Sequence, residues 1–325
     1  MPSEPTLSAS SAVLAAASTF HVVLAMLRRH RSWPRRFSPY AVPGFLLALL
    51  PWIFPTLPAL GAAAVVHLLW FAACERAFPP PAPLAPGWVE TKVLAVEDQT
   101  GEIRTFRLRR PKGFDFKPGQ FLSVQVPVDG KPLVRCYSIC SAPENRGILE
   151  ISVKRQGLVS GTLHDALRPG SCLCVRKPAG PFVYPAGDSR PLVLLAGGVG
   201  ITPLISMLRH AAAADPGRRV TLVLSVRSVD DVPFREELAG FAARHPQCRV
   251  VIAVTRGAAG PGMYAGRVDG ELIRRLTGIP AGAVYCLCGP LPMIDGMKAL
   301  LASLGVPAAQ VPEERGVGIG GRSRG

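Results

Sequence analysis

Five short clusters carry the side chains able to do chemistry in this chain. In Arg135-Cys136-Tyr137-Ser138 a guanidinium, a thiol, a ring and a hydroxyl follow one another, and on a strand Arg135 and Tyr137 share a face. A cation suits a diphosphate, a flat ring suits a planar heterocycle such as a flavin, and a hydroxyl suits a ring nitrogen. Val153-Lys154-Arg155-Gln156-Gly157-Leu158-Val159-Ser160 runs from a strand into a helix start, where backbone N–H groups can hold phosphate and Ser160 can cap. In Ala196-Gly197-Gly198-Val199-Gly200-Ile201-Thr202-Pro203, glycines separate an apolar strand from a helix expected to begin at Pro203. Such a turn admits a dinucleotide to a helix N-terminus. It lacks both the Lys-Ser/Thr of a Walker loop and the GxGxxG spacing. Cys286-Leu287-Cys288-Gly289-Pro290 ends another strand, and such ends converge on a ligand crevice. Thr255-Arg256 with Tyr264 could hold an adenosine phosphate and its base. Each cluster alone also has a plain structural explanation: an exposed Arg beside a half-buried Tyr, a helix cap, buried thiols, a surface loop.

The elements that must position these clusters fall into two sets. Short strands at 91–96, 103–108, 120–126, 134–141, 149–154 and 172–176, with one helix near 160–167 and Gly/Pro signals between them, imply an antiparallel six-stranded barrel. Beyond residue 190, strands at 192–196, 220–226, 250–254 and 284–288 alternate with helices at 203–213, 234–241, 269–276 and 293–304. That order predicts a doubly wound parallel sheet. The fold class is thus α/β plus β: a barrel at 88–187 and a nucleotide domain at 188–314, with a disordered tail at 315–325.

The N-terminal portion is different material. Residues 37–74 contain no Asp, Glu, Lys or Arg over 38 positions, which belongs in lipid as one long helix or a hairpin of two short ones. Pro51, Pro55 and Pro58 favour the hairpin, and a shorter apolar run at 12–27 could span or lie on the surface. Five arginines within residues 28–36 belong on the cytoplasmic side. Residues 1–78 are therefore expected to anchor the chain in the inner (cytoplasmic) membrane, with 79–87 a stiff Pro-rich linker and the downstream part facing the cytoplasm. The chain has 325 residues, a formal charge of +15, 48% hydrophobic and 18% charged residues, which excludes a disordered protein. Its basic excess is spread along the chain without the basic–aromatic interleaving of a nucleic-acid groove, so no nucleic acid is expected. Eight cysteines without a Cys-x-x-Cys pair give neither a disulfide scaffold nor a metal site.

Taken in order, Arg135-x-Tyr137-Ser138, Gly157-x-x-Ser160, Gly198-x-Gly200-Ile201-Thr202-Pro203 and Cys288-Gly289-Pro290 resemble the motif succession of the ferredoxin-NADP reductase superfamily of flavoproteins, over residues 88–314. The resemblance implies an FAD-binding barrel, an NAD(P)H-binding domain, and hydride transfer from nicotinamide to flavin. It would give Arg135 the diphosphate, Tyr137 the flavin face and Ser138 the flavin N5. Cys136, Val153, Lys154, Leu158, Val159 and Ser160 would complete the flavin site. Gly198, Gly200 and Thr202 would meet the nicotinamide nucleotide, with Cys288, Gly289 and Pro290 beside its ring. Ser138, Cys288 and Glu314 would be the catalytic set. Two features depart from the family: no aromatic follows Glu314 in Glu313-Glu314-Arg315-Gly316, and no four-cysteine iron–sulfur set is present.

Both NADPH and NADH stay open as donors. Arg227, Thr255, Arg256 and Tyr264 favour NADPH, and Asp230 and Asp231 keep NADH in play. The expected function is a membrane-anchored flavoprotein oxidoreductase passing electrons from NAD(P)H through FAD to a separate acceptor: ferredoxin, flavodoxin or quinone. The alternatives are a flavin-binding redox sensor or electron-transfer subunit without turnover, and a membrane reductase with haem between His21 and His67.

Overall fold

The computed structural model describes residues 84–128 and 131–315. The first half is built from β1 (Trp88–Asp98), β2 (Ile103–Arg109), β3 (Phe121–Val128), β4 (Lys131–Ser138), β5 (Ile148–Lys154) and β6 (Cys172–Arg176). They pair antiparallel in the order β4-β3-β6-β1-β2-β5. The sheet closes on itself just beyond β4, where Ile139 bridges Ile151 and the Cys140 N–H donates to the Glu150 carbonyl at 2.8 Å. Alternation sets the inner face: in β3, Leu122, Val124, Val126 and Val128 are buried while the intervening residues are not. Helix α1 (Leu158–Ala166) plugs the barrel with Val159 and Leu163. His164 fastens that helix to β5 through Nε2 and the Val153 carbonyl, 2.8 Å apart.

The second half follows the order β7 (Leu192–Gly197), a 3-10 turn (Gly198–Gly200), α2 (Ile201–Ala214), β8 (Val220–Val226), α3 (Arg235–Ala239), α4 (Phe241–Arg244) and β9 (Cys248–Val254). Then come β10 (Tyr264–Ala265), α5 (Gly270–Thr277), β11 (Val284–Gly289), α6 (Leu291–Ser303) and β12 (Glu313–Arg315). All six strands are parallel, in the order β10-β9-β8-β7-β11-β12. β7 is buried at every position, as a parallel strand covered on both faces must be. Two separate apolar clusters fill the faces, one containing Leu194, Leu204 and Leu208, the other Val193, Tyr285 and Ile294.

The helix boundaries shift from those expected. α2 starts at Ile201, so Pro203 occupies the third helical position, where its missing N–H is still unneeded. The helix expected at 234–241 is two short ones separated by Gly240. β10 and β12 were outside the expectation, since two- and three-residue strands carry no readable period. Arg315, expected in the tail, instead pairs in register with Gly289. Among the described residues no helix is long and apolar enough to cross a membrane. The expected anchor at 1–78, the start of the linker and residues 316–325 lie outside the described residues.

Candidate active site

β4 is the anomaly of the barrel: none of its eight residues is buried. Leu133 and Tyr137 only partly pack onto the barrel core, and Val134 leaves 43% of its surface open. The strand therefore leaves Arg135 and Tyr137 open along one face beside Leu133, with Val134 exposed on the other face. Arg135 has no carboxylate partner among the described residues; its Nη1 donates only to the Val134 carbonyl at 2.8 Å. Burial pushes the Tyr137 phenol up to about 12, against the pull of Arg135, so the ring stays neutral. Ser138 ends the strand opposite Phe121, its hydroxyl without a hydrogen bond among the described residues. Cys136 is exposed, with Sγ 3.8 Å from Ser123 Oγ. These groups fit a dinucleotide flavin: a free guanidinium for phosphate and a flat surface not already covered by protein.

The helix-start cluster contributes unequally. Leu158 is 65% exposed at the first position of α1, an uncovered apolar group. Lys154 reaches Glu102 at 2.9 Å on the surface. Two expectations need correction. Ser160 is not the N-cap, which is Gly157; its hydroxyl sits inside the first turn, accepts from the Gln156 N–H and donates to the Gly157 carbonyl. It fixes the turn and leaves backbone N–H groups for an anion. Val153 points into the barrel core and its carbonyl is taken by His164, because the alternation that turns Lys154 outward turns Val153 inward. Val159 is likewise buried and shapes the site only from beneath.

The nucleotide half is defined by backbone proximity. In the strand order the chain leaves β7 toward β8 and later returns to β11 on the other side, so the carboxyl ends of β7 and β11 form the topological switch point. There the two turns touch. A Cβ on Gly200 would stand 2.3 Å from the Cys288 carbonyl oxygen, and one on Gly197 2.3 Å from Met293 Sδ. Gly198 takes φ +53, open to glycine without strain. Thr202 turns its hydroxyl inward to the Val199 carbonyl at 3.0 Å, holding the glycine turn. Gly289 and Pro290 lead into α6, with Pro290 as its N-cap. Barrel strand β5 packs directly beside the glycine turn, which brings the barrel to the switch point.

The sequence comparisons meet this geometry. Residues 90–184 match the oxidoreductase FAD-binding domain and residues 194–299 the oxidoreductase NAD-binding domain. The chain carries the paired FAD- and NAD-binding oxidoreductase domains of the ferredoxin reductase-like superfamily. It is 39% identical to the flavohemoprotein of Bordetella pertussis over 243 residues, 70% of this chain and 60% of that protein. It is 34% identical to the glycine betaine monooxygenase reductase subunit of Chromohalobacter salexigens, over 69% of this chain and 62% of that protein. The chain thus spans about 60% of the length of the curated relatives it matches. Among solved structures, the FAD/NAD-binding domain of a Vibrio cholerae nitric oxide dioxygenase aligns with TM-score 0.64 and 26% identity, over 70% of this chain and 98% of that one. A ferredoxin NADP+ reductase from Neisseria gonorrhoeae with bound FAD and NADP aligns with TM-score 0.62 and 26% identity, over 71% and 100%.

Within the NAD-binding domain, Cys288 stands in register between Ala196 on β7 and Glu314 on β12. Burial, reinforced by Glu314, pushes the thiol up to about 12, and burial also raises the Glu314 carboxyl. The Cys288 thiol is therefore buried and uncharged. Further out, the Thr255 hydroxyl and N–H both engage the Val226 carbonyl, and the Arg256 N–H donates to the Arg227 carbonyl at 2.8 Å. Arg227 and Arg256, both exposed, thereby stand together beyond β8 and β9. Asp231 is occupied in a capping box with Ser228, while Asp230 is exposed. The Tyr264 hydroxyl donates to Asp269 at 2.8 Å and Arg275 lies over its ring, so the residue also braces the start of α5. The sequence reading singles out neither His164, which ties α1 to the neighbouring β5, nor Arg209, whose barrel partners Cys140 and Glu150 are distant in the chain and form no local motif with it.

Proposed function

We propose that this chain is a membrane-anchored, FAD-dependent NAD(P)H oxidoreductase delivering electrons to a separate acceptor. The observation that carries the reading is the close packing of the Gly198–Gly200 turn on Cys288 beside a barrel whose β4 is uncovered. FAD, when bound, supplies the step from two-electron hydride uptake to electron delivery. The residues supply the rest. Arg135 would hold the diphosphate, Tyr137 would lie against the flavin ring, Ser138 would offer a hydroxyl to a ring nitrogen, and the uncovered Leu158 would exclude water. Gly198 and Gly200 admit the nicotinamide nucleotide, with the uncharged Cys288 thiol beside its ring and the Glu314 carboxyl behind.

The exposed pair Arg227 and Arg256 supports NADPH as the preferred donor, because guanidinium forks pair with a 2′-phosphate. The relatives include a monooxygenase reductase subunit and, from a Ralstonia species, the ferredoxin–NAD(P)+ reductase component of a naphthalene dioxygenase system. Their names support a separate protein acceptor, such as a ferredoxin, a flavodoxin or an oxygenase component; the apolar run at 37–74 would equally bring the site to a membrane quinone. The five arginines at 28–36 support a cytoplasmic orientation at the inner membrane.

The test is anaerobic addition of NADPH and NADH, separately, to the detergent-purified chain. Flavin absorbance should bleach, faster with NADPH. Flavin that neither nucleotide bleaches would overturn the reductase in favour of a sensor or subunit, and a Soret band would bring haem into the anchor.

A further inference from the structure

Helix α2, whose N-terminal turn is the nucleotide site, is bolted along its length to the chain that leaves β4. Ser206 Oγ donates to the Ser141 carbonyl at 2.6 Å, and His210 Nδ1 lies 2.7 Å from Glu144 Oε1. Between them Arg209 reaches both domains. Its Nη1 donates to the Cys140 carbonyl at 2.7 Å and to Glu150 Oε2 at 3.0 Å, both in the barrel. Its Nε and Nη2 grip the Glu237 carboxylate of α3 as a fork, at 2.8 and 2.5 Å. Its guanidinium also lies over the ring of Phe234, 5.3 Å from the centroid.

Phe234 is the only non-glycine residue among those described with positive φ (55). Such a backbone persists in a bulky residue only where its surroundings hold it. Here the holding group comes from the other domain: the Phe234 N–H donates to Gln99 Oε1, in the β1–β2 turn of the barrel, at 2.9 Å. The strained residue thus sits where two barrel contacts, Gln99 and the Arg209 network, converge on one segment of the nucleotide domain.

We propose that Arg209, with Phe234 and Gln99, is an interdomain latch that fixes the nucleotide turn relative to the flavin-bearing strand, making Arg209 a positioning residue for hydride transfer. The lever arms are short. Thr202 to Arg209 is about 10 Å of helix, and Tyr137 to Cys140 is about 10 Å of extended chain. A loosened latch therefore displaces the two sites relative to each other with little damping, and a misplacement near 1 Å can slow a reaction about a hundred-fold. Lys cannot replace Arg209, because a single ammonium cannot make the fork to Glu237 and reach Cys140 and Glu150 together.

The role in hydride transfer rests on the reductase reading, so the experiment carries one readout that does not. In the full chain in detergent with FAD, hydrogen exchange of the 229–240 segment and of the barrel stretch 138–150 is compared between wild type, Arg209→Ala, Arg209→Lys and Gln99→Ala. Stopped-flow reduction by NADPH is measured on the same samples. The latch predicts faster exchange confined to these segments, flavin content unchanged, and reduction at saturating nucleotide slowed roughly ten- to a hundred-fold in Arg209→Ala. Nucleotide affinity should hold, Arg209→Lys should stay impaired, and Gln99→Ala should show the same pattern more weakly. Unchanged exchange in Arg209→Ala overturns the latch whatever the nucleotides do. Faster exchange with an unchanged reduction rate overturns the positioning role. Should Arg209→Ala fail to fold, Gln99→Ala, at a half-buried turn position outside the barrel core, decides by the same two readouts. A wild type whose flavin is not reduced at all counts against the reductase reading, and exchange still decides the latch.

Discussion

At the scale of single residues, the site works by leaving some groups without protein partners and burying others. Arg135 is a cation held open, and an anion at that place gains a charge-assisted contact worth about 1.5–3 kcal/mol. Arg135→Ala should therefore weaken flavin binding by about 10- to 100-fold, measured by flavin retained through gel filtration and by titration of the apoprotein. Cys288 has the opposite character, a thiol pressed into the sheet. Cys288→Ala should keep its flavin and slow reduction by NADPH roughly ten-fold, by loosening the surface on which the nicotinamide rests. Glu314 yields a pH prediction. Burial raises its carboxyl above the ordinary glutamate range, so folding takes up a proton between the unfolded and folded values. That costs stability as pH rises through this window, and the full penalty stands above it. Glu314→Gln, which mimics the protonated acid, should melt higher than wild type at neutral pH, with the difference vanishing below the ordinary glutamate value of about 4.3.

At the scale of elements, the decisive contact is between two turns nearly ninety residues apart, after β7 and after β11. Gly200 allows it, since any Cβ there would meet the backbone of Cys288, which cannot move aside as a long side chain could. Gly200→Ala should destabilise the chain by about 1–3 kcal/mol through overpacking. It should also weaken NADPH binding while leaving flavin in the barrel, read by thermal unfolding and by nucleotide titration. Gly198→Ala gives a useful contrast: its Cβ would meet nothing within 4 Å, so the penalty comes from the positive φ alone. The barrel element that matters most is β4, because its lack of buried residues is what leaves a bed for a planar ligand.

At the scale of the whole molecule, a basic chain with a 38-residue uncharged run precedes the two oxidoreductase domains. Expressed in cells, the full chain should sediment with membranes, resist a high-salt wash and come off in detergent, since hydrocarbon burial is not screened by ions. Release by salt alone would mean a merely electrostatic attachment.

The sequence by itself determined the order and kind of the longer elements, the barrel followed by the parallel sheet. Periods of two and the switch to strand–helix alternation are local, and glycines and prolines mark turns wherever they fall. Only the tertiary structure decided which side of each strand faces in, so that Val153 is core while Lys154 is surface. It alone revealed that Ser160 clamps a turn instead of capping it, and that Tyr264 is bound to Asp269. It alone brought Arg209 to Cys140, Glu150 and Glu237. The reasons differ with distance along the chain: alternation shows that a strand has two faces but not which is enclosed, a hydroxyl such as those of Ser160 and Tyr264 has several partners within reach of its own turn, and the bonds from Arg209 to Cys140 and Glu150 join residues some sixty positions apart that leave no trace in the spacing of either.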